Sequence, residues 1–82
     1  MKDGFYTYGG NHWVEYWQVK NGKVVCNFAN SDDQMTFIEN RNGITEPKIS
    51  NDYYLSKAVR ISEPEFISAK IEFINLMNTG VV

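Results

Sequence analysis

The segment 19–25, VKNGKVV, constrains the fold more than any other part of the sequence. Asn-Gly is the pair that a type I′ turn favours, because both central residues of that turn have positive φ. Asn21 and Gly22 lie between two runs rich in β-forming residues, 12–19 and 24–28. The sequence therefore predicts a β-hairpin with a two-residue loop, in which Lys20 lies opposite Lys23.

A two-residue loop also fixes the register of the two strands, because each residue before the turn then pairs with one residue after it. Continued without interruption from Lys20, this register is regular along the whole hairpin. It predicts three further pairs: Val19 with Val24, Trp17 with Cys26, and Glu15 with Phe28.

The segment TYGGNH predicts a second hairpin immediately before the first, with Gly9 and Gly10 in its turn. Alternation along the strands then assigns each side chain to one face of a sheet. The predicted core face collects the larger apolar residues, Tyr6 (opposite Trp13), Trp13, Trp17, Val19, Val24, Cys26 and Phe28. The other face is mixed and collects Phe5, Thr7, His12, Val14, Tyr16, Gln18, Val25 and Asn27.

The C-terminal part of the sequence has a well-marked helix start. Ser62 precedes Glu65 by three residues, which is the spacing of a capping box, and Pro64 suits a first helical turn. The pattern predicts a helix over 63–78, with Gly80 suited to its C-terminal stop.

The apolar residues of this helix cover a wider arc than the roughly 100° that packing on one surface requires. They form two adjacent stripes: Ile67, Ile71 and Ile74 in one, and Phe66, Ala69, Phe73, Leu76 and Met77 in the other. We therefore expect something besides one sheet face to cover part of the helix.

Two further strands are predicted, at 34–39 (QMTFIE) and in the short run AVRI, whereas Pro47 argues against a central strand in the segment 44–57. The expected fold class is α+β: an antiparallel β-meander of three to five strands with one C-terminal α-helix packed on one sheet face. The whole chain, 1–82, is expected to form one small domain, since 82 residues without linkers or repeats suit a single core.

Composition argues against several function classes. The net charge is −2 and the basic residues are dispersed, so we expect no nucleic-acid partner. One cysteine and one histidine cannot form an internal disulfide or a four-ligand zinc site, and we expect no metal and no cofactor. The absence of a signal peptide or long apolar run predicts a cytoplasmic protein that does not enter a membrane.

Candidate interaction residues lie on the mixed face of the predicted sheet. Large side chains there favour a protein–protein surface, although the same residues could instead pack under the middle segment 44–57. The candidates are Phe5, His12, Val14, Tyr16 and Val25.

Three other side chains have chemistry that could serve a function. His12 has no carboxylate or nucleophile beside it in the predicted register, and is expected to be a half-exposed strand histidine with no catalytic role. Cys26 is expected to be a small core residue. Glu15 lies between Trp13 and Trp17 on the core face, where an unpaired charge is costly. Either the face is open there, or Glu15 pairs with a basic residue of the middle segment, or it is a functional carboxylate.

These observations lead to three hypotheses of function. The first is a small intracellular, non-enzymatic protein–protein interaction module, expected to be a homodimer. The second is an inhibitor of phage or mobile-element type that binds and blocks a host enzyme, with Asp32, Asp33 and Glu39 at the contact. The third is a small-ligand binder or enzyme that uses Glu15 and His12, together with Tyr16.

Overall fold

The computed structural model describes residues 2–44 and 54–79. The elements in chain order are β1 (Gly4–Gly9), β2 (Trp13–Lys20), β3 (Lys23–Ser31), β4 (Met35–Glu39), β5 (Val59–Ile61) and α1 (Glu63–Thr79). The strands form one antiparallel sheet in the order β4-β3-β2-β1-β5, and α1 packs on one of its faces. The predicted α+β class and its architecture are confirmed.

Asn21 and Gly22 form the predicted turn between β2 and β3. Their φ angles are 54° and 74°, as a turn of this kind requires. Asp3 accepts hydrogen bonds from both backbone N–H groups, at 2.8 Å from Asn21 and 2.9 Å from Gly22. Because the N–H groups of Gly22 and Asn21 stabilise the charged carboxylate, they lower the pKa of Asp3 from its ordinary value of 3.8.

A β-bulge at Val25 shifts the rest of this hairpin by one residue. Val19 pairs with Val24 as predicted, but the next pair is Gln18 with Cys26, which skips Val25. The predicted pairs of Trp17 with Cys26 and Glu15 with Phe28 are therefore wrong. An extra residue moves every side chain beyond it to the opposite face. The observed pairs are Trp17 with Asn27, Tyr16 with Phe28 and Glu15 with Ala29.

The hairpin between β1 and β2 turns two residues later than predicted. Its loop consists of Asn11 and His12, and a hydrogen bond of 2.9 Å from the Gly10 amide to the Trp13 carbonyl closes it. Tyr6 consequently lies opposite Trp17 rather than Trp13. The partner has moved by four residues along β2, an even number, so the assignment of β1 and β2 side chains to faces is unchanged.

Each face of the sheet carries its own hydrophobic core. On the first face the buried residues are Tyr6, Trp17, Val19 and Leu55. On the second face, beneath α1, they are Cys26, Phe28, Phe66 and Phe73. The prediction that Cys26 and Phe28 share a face with Trp17 is wrong, and the bulge at Val25 is the reason. The helix covers the face that the sequence predicted to be the more polar one.

The helix begins where the capping box predicts. The Glu65 amide donates to Ser62 Oγ at 3.2 Å, and the Ser62 amide donates to Glu65 Oε1 at 3.4 Å. Phe28 lies between the two buried aromatic residues of α1, with ring centroids 5.4 Å from Phe66 and 5.0 Å from Phe73. These contacts fix the helix across the middle of the sheet.

The remaining strands are found close to their predicted positions, at Met35–Glu39 and Val59–Ile61. Most of the segment 44–57, including Pro47, lies outside the described residues, and so does Gly80. Among the described residues, no helix has the length and apolar character needed to cross a membrane.

Candidate functional site

The five residues predicted as an interaction surface do not form one surface. Phe5 packs against Phe66 of the helix, with ring centroids 4.9 Å apart, and Tyr16 stacks on Phe28 at the same distance. Val14 and Tyr16 line a cavity of about 130 Å³ beneath α1. Val25 is buried at the bulge. Of the five, only His12 is exposed.

Glu15 is buried, with 9% of its surface exposed, so the first face is not open at that position. The Asn27 side-chain amide donates to Glu15 Oε2 at 3.1 Å and also to the Tyr16 carbonyl at 3.0 Å. Because of the bulge, Asn27 shares the face of Glu15, which the predicted register did not allow. A neutral amide from the adjacent strand therefore helps to hold this buried carboxylate.

Cys26 is completely buried and lies opposite Glu39 of β4. Burial raises the pKa of its thiol to about 11. The thiol is therefore protonated at neutral pH and is a poor nucleophile. This agrees with the expectation that Cys26 is a core residue.

Three half-buried aromatic residues meet at one end of the first face. Trp13 contacts Tyr54 edge-on, with ring centroids 5.1 Å apart and planes at 84°, and it contacts Tyr8 at 5.2 Å and 71°. Tyr8 and Tyr54 are stacked at 5.6 Å. Tyr8 is the residue before the last of β1, Trp13 is the first of β2, and Tyr54 comes from a distant part of the chain.

Polar residues from the β1–β2 loop, from the end of β3 and from the loop after it lie beside these rings. His12 Nδ1 is 2.9 Å from Asp32 Oδ2, and both side chains are largely exposed. Asp33 accepts a hydrogen bond of 3.2 Å from Ser31. The rings and these polar groups line an open depression of about 580 Å³. We call this set the tip cluster: Tyr8, Trp13 and Tyr54 with His12, Ser31, Asp32 and Asp33.

Sequence reasoning missed the tip cluster for two reasons. The expectation that His12 has no carboxylate beside it is wrong, because Asp32 approaches it across the sheet end from the loop after β3. Tyr54 belongs to the segment that the sequence left unassigned. The signal in the sequence was the spacing of Tyr8 and Trp13 on either side of the β1–β2 loop. With the loop at Asn11 and His12, these two rings come into contact.

A second surface lies on the outer side of α1. Four apolar residues there are exposed, to 42% for Ile67, 56% for Ile71, 37% for Ile74 and 46% for Met77. Residues 67, 71 and 74 follow the i, i+4, i+7 spacing that places side chains along one side of a helix. We call these four residues the α1 stripe.

The α1 stripe lies on the side of the helix nearest β4. Lys70, one turn from Ile67 and Ile74, reaches across to Glu39 of β4, with Nζ 2.7 Å from Oε2. Its Nζ also lies 5.8 Å from the centre of the Phe37 ring. The α1 stripe and the edge strand β4 therefore lie next to each other on the same side of the molecule.

The third hypothesis requires Glu15 and His12 to meet in one cavity. The depression that His12 lines does not include Glu15, so these two residues do not meet in it. Within residues 2–44 and 54–79, no three His, Cys, Asp or Glu side chains are grouped closely enough to hold a metal ion.

No family model matches the chain, and neither a curated protein nor a solved structure shows significant similarity to it.

Proposed function

We propose that this chain is a non-enzymatic protein–protein interaction module that forms a homodimer through the α1 stripe and strand β4. The observation that carries the proposal is the α1 stripe itself. It holds four large apolar side chains in one row, each more than a third exposed, on a helix whose buried residues, Phe66 and Phe73, face the sheet. A row of this kind marks a contact surface more often than isolated exposed residues do.

Strand β4 supports a second copy as the occupant. It stands at the end of the sheet, and its outer backbone groups face away from β3. Such an edge is able to pair with another strand. Antiparallel pairing of two β4 strands about Phe37 would place Met35 opposite Glu39 and Thr36 opposite Ile38, so that no like charges meet.

The same two-fold arrangement would bring the two α1 helices together on one face of a continuous sheet. Each α1 stripe, which lies on the β4 side of its helix, would then meet the other. The charged side chains at the middle of this region are Lys70 and Glu39, which have opposite signs. Within each copy these two charges pair with each other, so the pair brings no net charge to a contact between identical copies.

The test is the molar mass in solution, measured by sedimentation equilibrium over about a hundredfold dilution. We expect a dimer that dissociates on dilution. In the variant Ile71→Glu a charge replaces the most exposed residue of the α1 stripe, and the dissociation constant should rise by at least about tenfold. Circular dichroism should show an unchanged fold, because Ile71 is not part of either core.

The matched control is Asn75→Glu, which adds the same side chain at an exposed position of the same helix outside the α1 stripe. It should dimerise like the wild type. A wild-type protein that is monomeric at every concentration would overturn the proposal. Equal dissociation constants for Ile71→Glu and the wild type would also overturn it.

The exposed acidic loop of the tip cluster favours a second candidate function, inhibition of a larger enzyme. Asp32 and Asp33 project at one end of the sheet, as a contact with a basic surface would require. Glu39, which was expected to join them, instead pairs with Lys70. This candidate predicts that one enzyme is captured by the wild type, loses activity on binding, and is not captured by the variant Asp32→Asn/Asp33→Asn.

A further inference from the structure

We infer that the tip cluster is a binding site for a guanidinium group, presented by an arginine side chain of a partner protein. The inference goes beyond the proposed dimer and does not depend on it. Tyr8 and Trp13 lie on the face of the first core, whereas α1 and its stripe lie on the other face. A dimer formed through α1 and β4 would therefore leave the tip cluster accessible.

The aromatic part of the cluster offers a stacking surface. The plane of the Trp13 ring is nearly perpendicular to the planes of Tyr54 and Tyr8. The three rings therefore form an angled aromatic surface rather than a flat one. The rings are too close to one another to admit a ligand between them, at 5.1–5.6 Å between centroids. A ligand must therefore lie against the outer side of this surface, in the open depression of about 580 Å³.

The polar part of the cluster selects a cation. Asp32 and Asp33 line the depression, and His12 is the sole basic residue among the described residues that line it. Ser31 Oγ lies 3.2 Å from Asp33 Oδ1 and 3.1 Å from the Gln34 carbonyl oxygen, so its one proton is shared between these two acceptors. A cation in the depression would have aromatic faces on one side and carboxylates on another.

Guanidinium fits this combination better than an ammonium group does. It is planar and weakly hydrated, and it stacks on aromatic rings while its edge donates to a carboxylate in a bidentate manner. An ammonium group is compact and strongly hydrated, so it gains less from an open, angled surface. Neutral sugars also stack on tryptophan and tyrosine, and they are the competing ligand class in the test.

The experiment titrates the full chain with N-acetyl-arginine amide and follows the fluorescence of tryptophan together with the NMR signal of the Trp13 indole N–H. Trp17 has no exposed surface, so a fluorescence response reports on Trp13. We expect saturable binding, with shifted NMR signals confined to the tip cluster. The neutral isostere N-acetyl-citrulline amide should bind at least about threefold more weakly, since it keeps the shape and loses the charge.

Two variants locate the site. Asp33→Asn should weaken binding of the arginine derivative about threefold, and Trp13→Phe should weaken it about twofold, because phenylalanine is a poorer partner for a cation. The matched control is Glu72→Gln, which removes an exposed carboxylate from α1 and should leave binding unchanged. Asp33→Asn keeps the size of the side chain, so it tests the site even if the tryptophan variant is unstable.

Three results would overturn the inference. The first is equal binding of the arginine and citrulline derivatives, which would remove the role of charge. The second is a set of shifted signals outside the tip cluster. The third is binding of methyl glucoside at the tip cluster in the absence of any response to the arginine derivative, which would assign the site to a neutral sugar.

Discussion

In one hairpin of the sheet the local sequence predicts the turn but not the faces of the side chains, and in the other it predicts the faces but not the turn. The β2–β3 hairpin has the expected turn at Asn21 and Gly22, yet the bulge at Val25 sends its distal side chains to the unexpected face. The β1–β2 hairpin turns at Asn11 and His12 rather than at its two glycines, yet its faces are as expected. A turn motif therefore does not by itself determine a face, whereas the parity of the register does.

The largest predicted effect concerns the residue that the bulge redirects. Phe28→Ala should lower the free energy of unfolding by about 3–5 kcal/mol, because Phe28 fills the centre of the core beneath α1. Phe28→Leu should cost less than about 2 kcal/mol and keeps the measurement possible if the alanine variant does not fold. Urea unfolding at neutral pH measures both.

A double-mutant cycle makes this test specific to the bulge. Phe28→Leu should couple energetically with Phe73→Leu, whose ring centre lies 5.0 Å from that of Phe28. It should be additive within about 0.5 kcal/mol with Val19→Ala, which lies in the core of the other face. The reverse pattern would mean that Phe28 faces Trp17 and that the bulge is absent.

The next effect compares the glycines of the two turns. Gly22→Ala should cost about 1 kcal/mol, because φ at Gly22 is +74° even though no atom lies within 4 Å of an added Cβ. Gly10→Ala should be neutral within about 0.5 kcal/mol, since Gly10 has no positive φ and the nearest atom to an added Cβ, Trp13 Cε3, is 3.9 Å away. Thermal unfolding of the two variants side by side measures the difference, and equal costs would contradict the two turn assignments.

A smaller effect follows from the aspartate beside the Asn21–Gly22 turn. Asp3 has a lower pKa in the folded chain than its ordinary value of 3.8, so its contribution to stability is complete above that pH and is lost as the pH falls through the folded-state pKa. Asp3→Asn should therefore be less stable than the wild type at pH 7, and the difference should shrink below pH 3.8. Denaturant unfolding across this range is the measurement, and a difference that does not vary with pH would contradict it.

The smallest effect belongs to the aspartate beside the other turn. Asp32 contacts the His12 side chain, and the two side chains are 75% and 80% exposed. A contact between two exposed polar side chains contributes little, so Asp32→Asn should change the free energy of unfolding by less than about 0.5 kcal/mol. A loss above about 1 kcal/mol would show that the β1–β2 turn depends on its aspartate as the β2–β3 turn does.

The features that sequence predicts here are those encoded within a few residues. The capping box of Ser62 and Glu65 spans four residues, and the turn at Asn21 and Gly22 spans two. Both were found, and so were the helix and the overall class, and the five strands fall within the expected three to five. The alternation of large residues in β1 and β2 was also sufficient to assign their faces.

The features that sequence did not predict depend on distant partners. The position of the bulge at Val25 depends on which core receives Cys26 and Phe28, and that is settled by α1, about forty residues later. Asp3 accepts a hydrogen bond from the β2–β3 turn, 18 residues further along the chain, and Asp32 approaches His12 from a different loop. The tip cluster could not be assembled from sequence, because Tyr54 joins it from a segment with no periodic pattern.

The way the strands are shared between the two cores also affects how the protein unfolds. Residues 25–28 of β3 are all buried, and β3 contributes to the core beneath α1 while it pairs with the strand that carries Trp17. Unfolding of either core would therefore disrupt a strand that also belongs to the other core. Backbone amides of β2 and β3 should exchange with deuterium only when the entire chain unfolds, whereas those of the short edge strand β5 exchange through local fraying. Because the two small cores share the strands of one sheet, we expect them to unfold as a single cooperative unit.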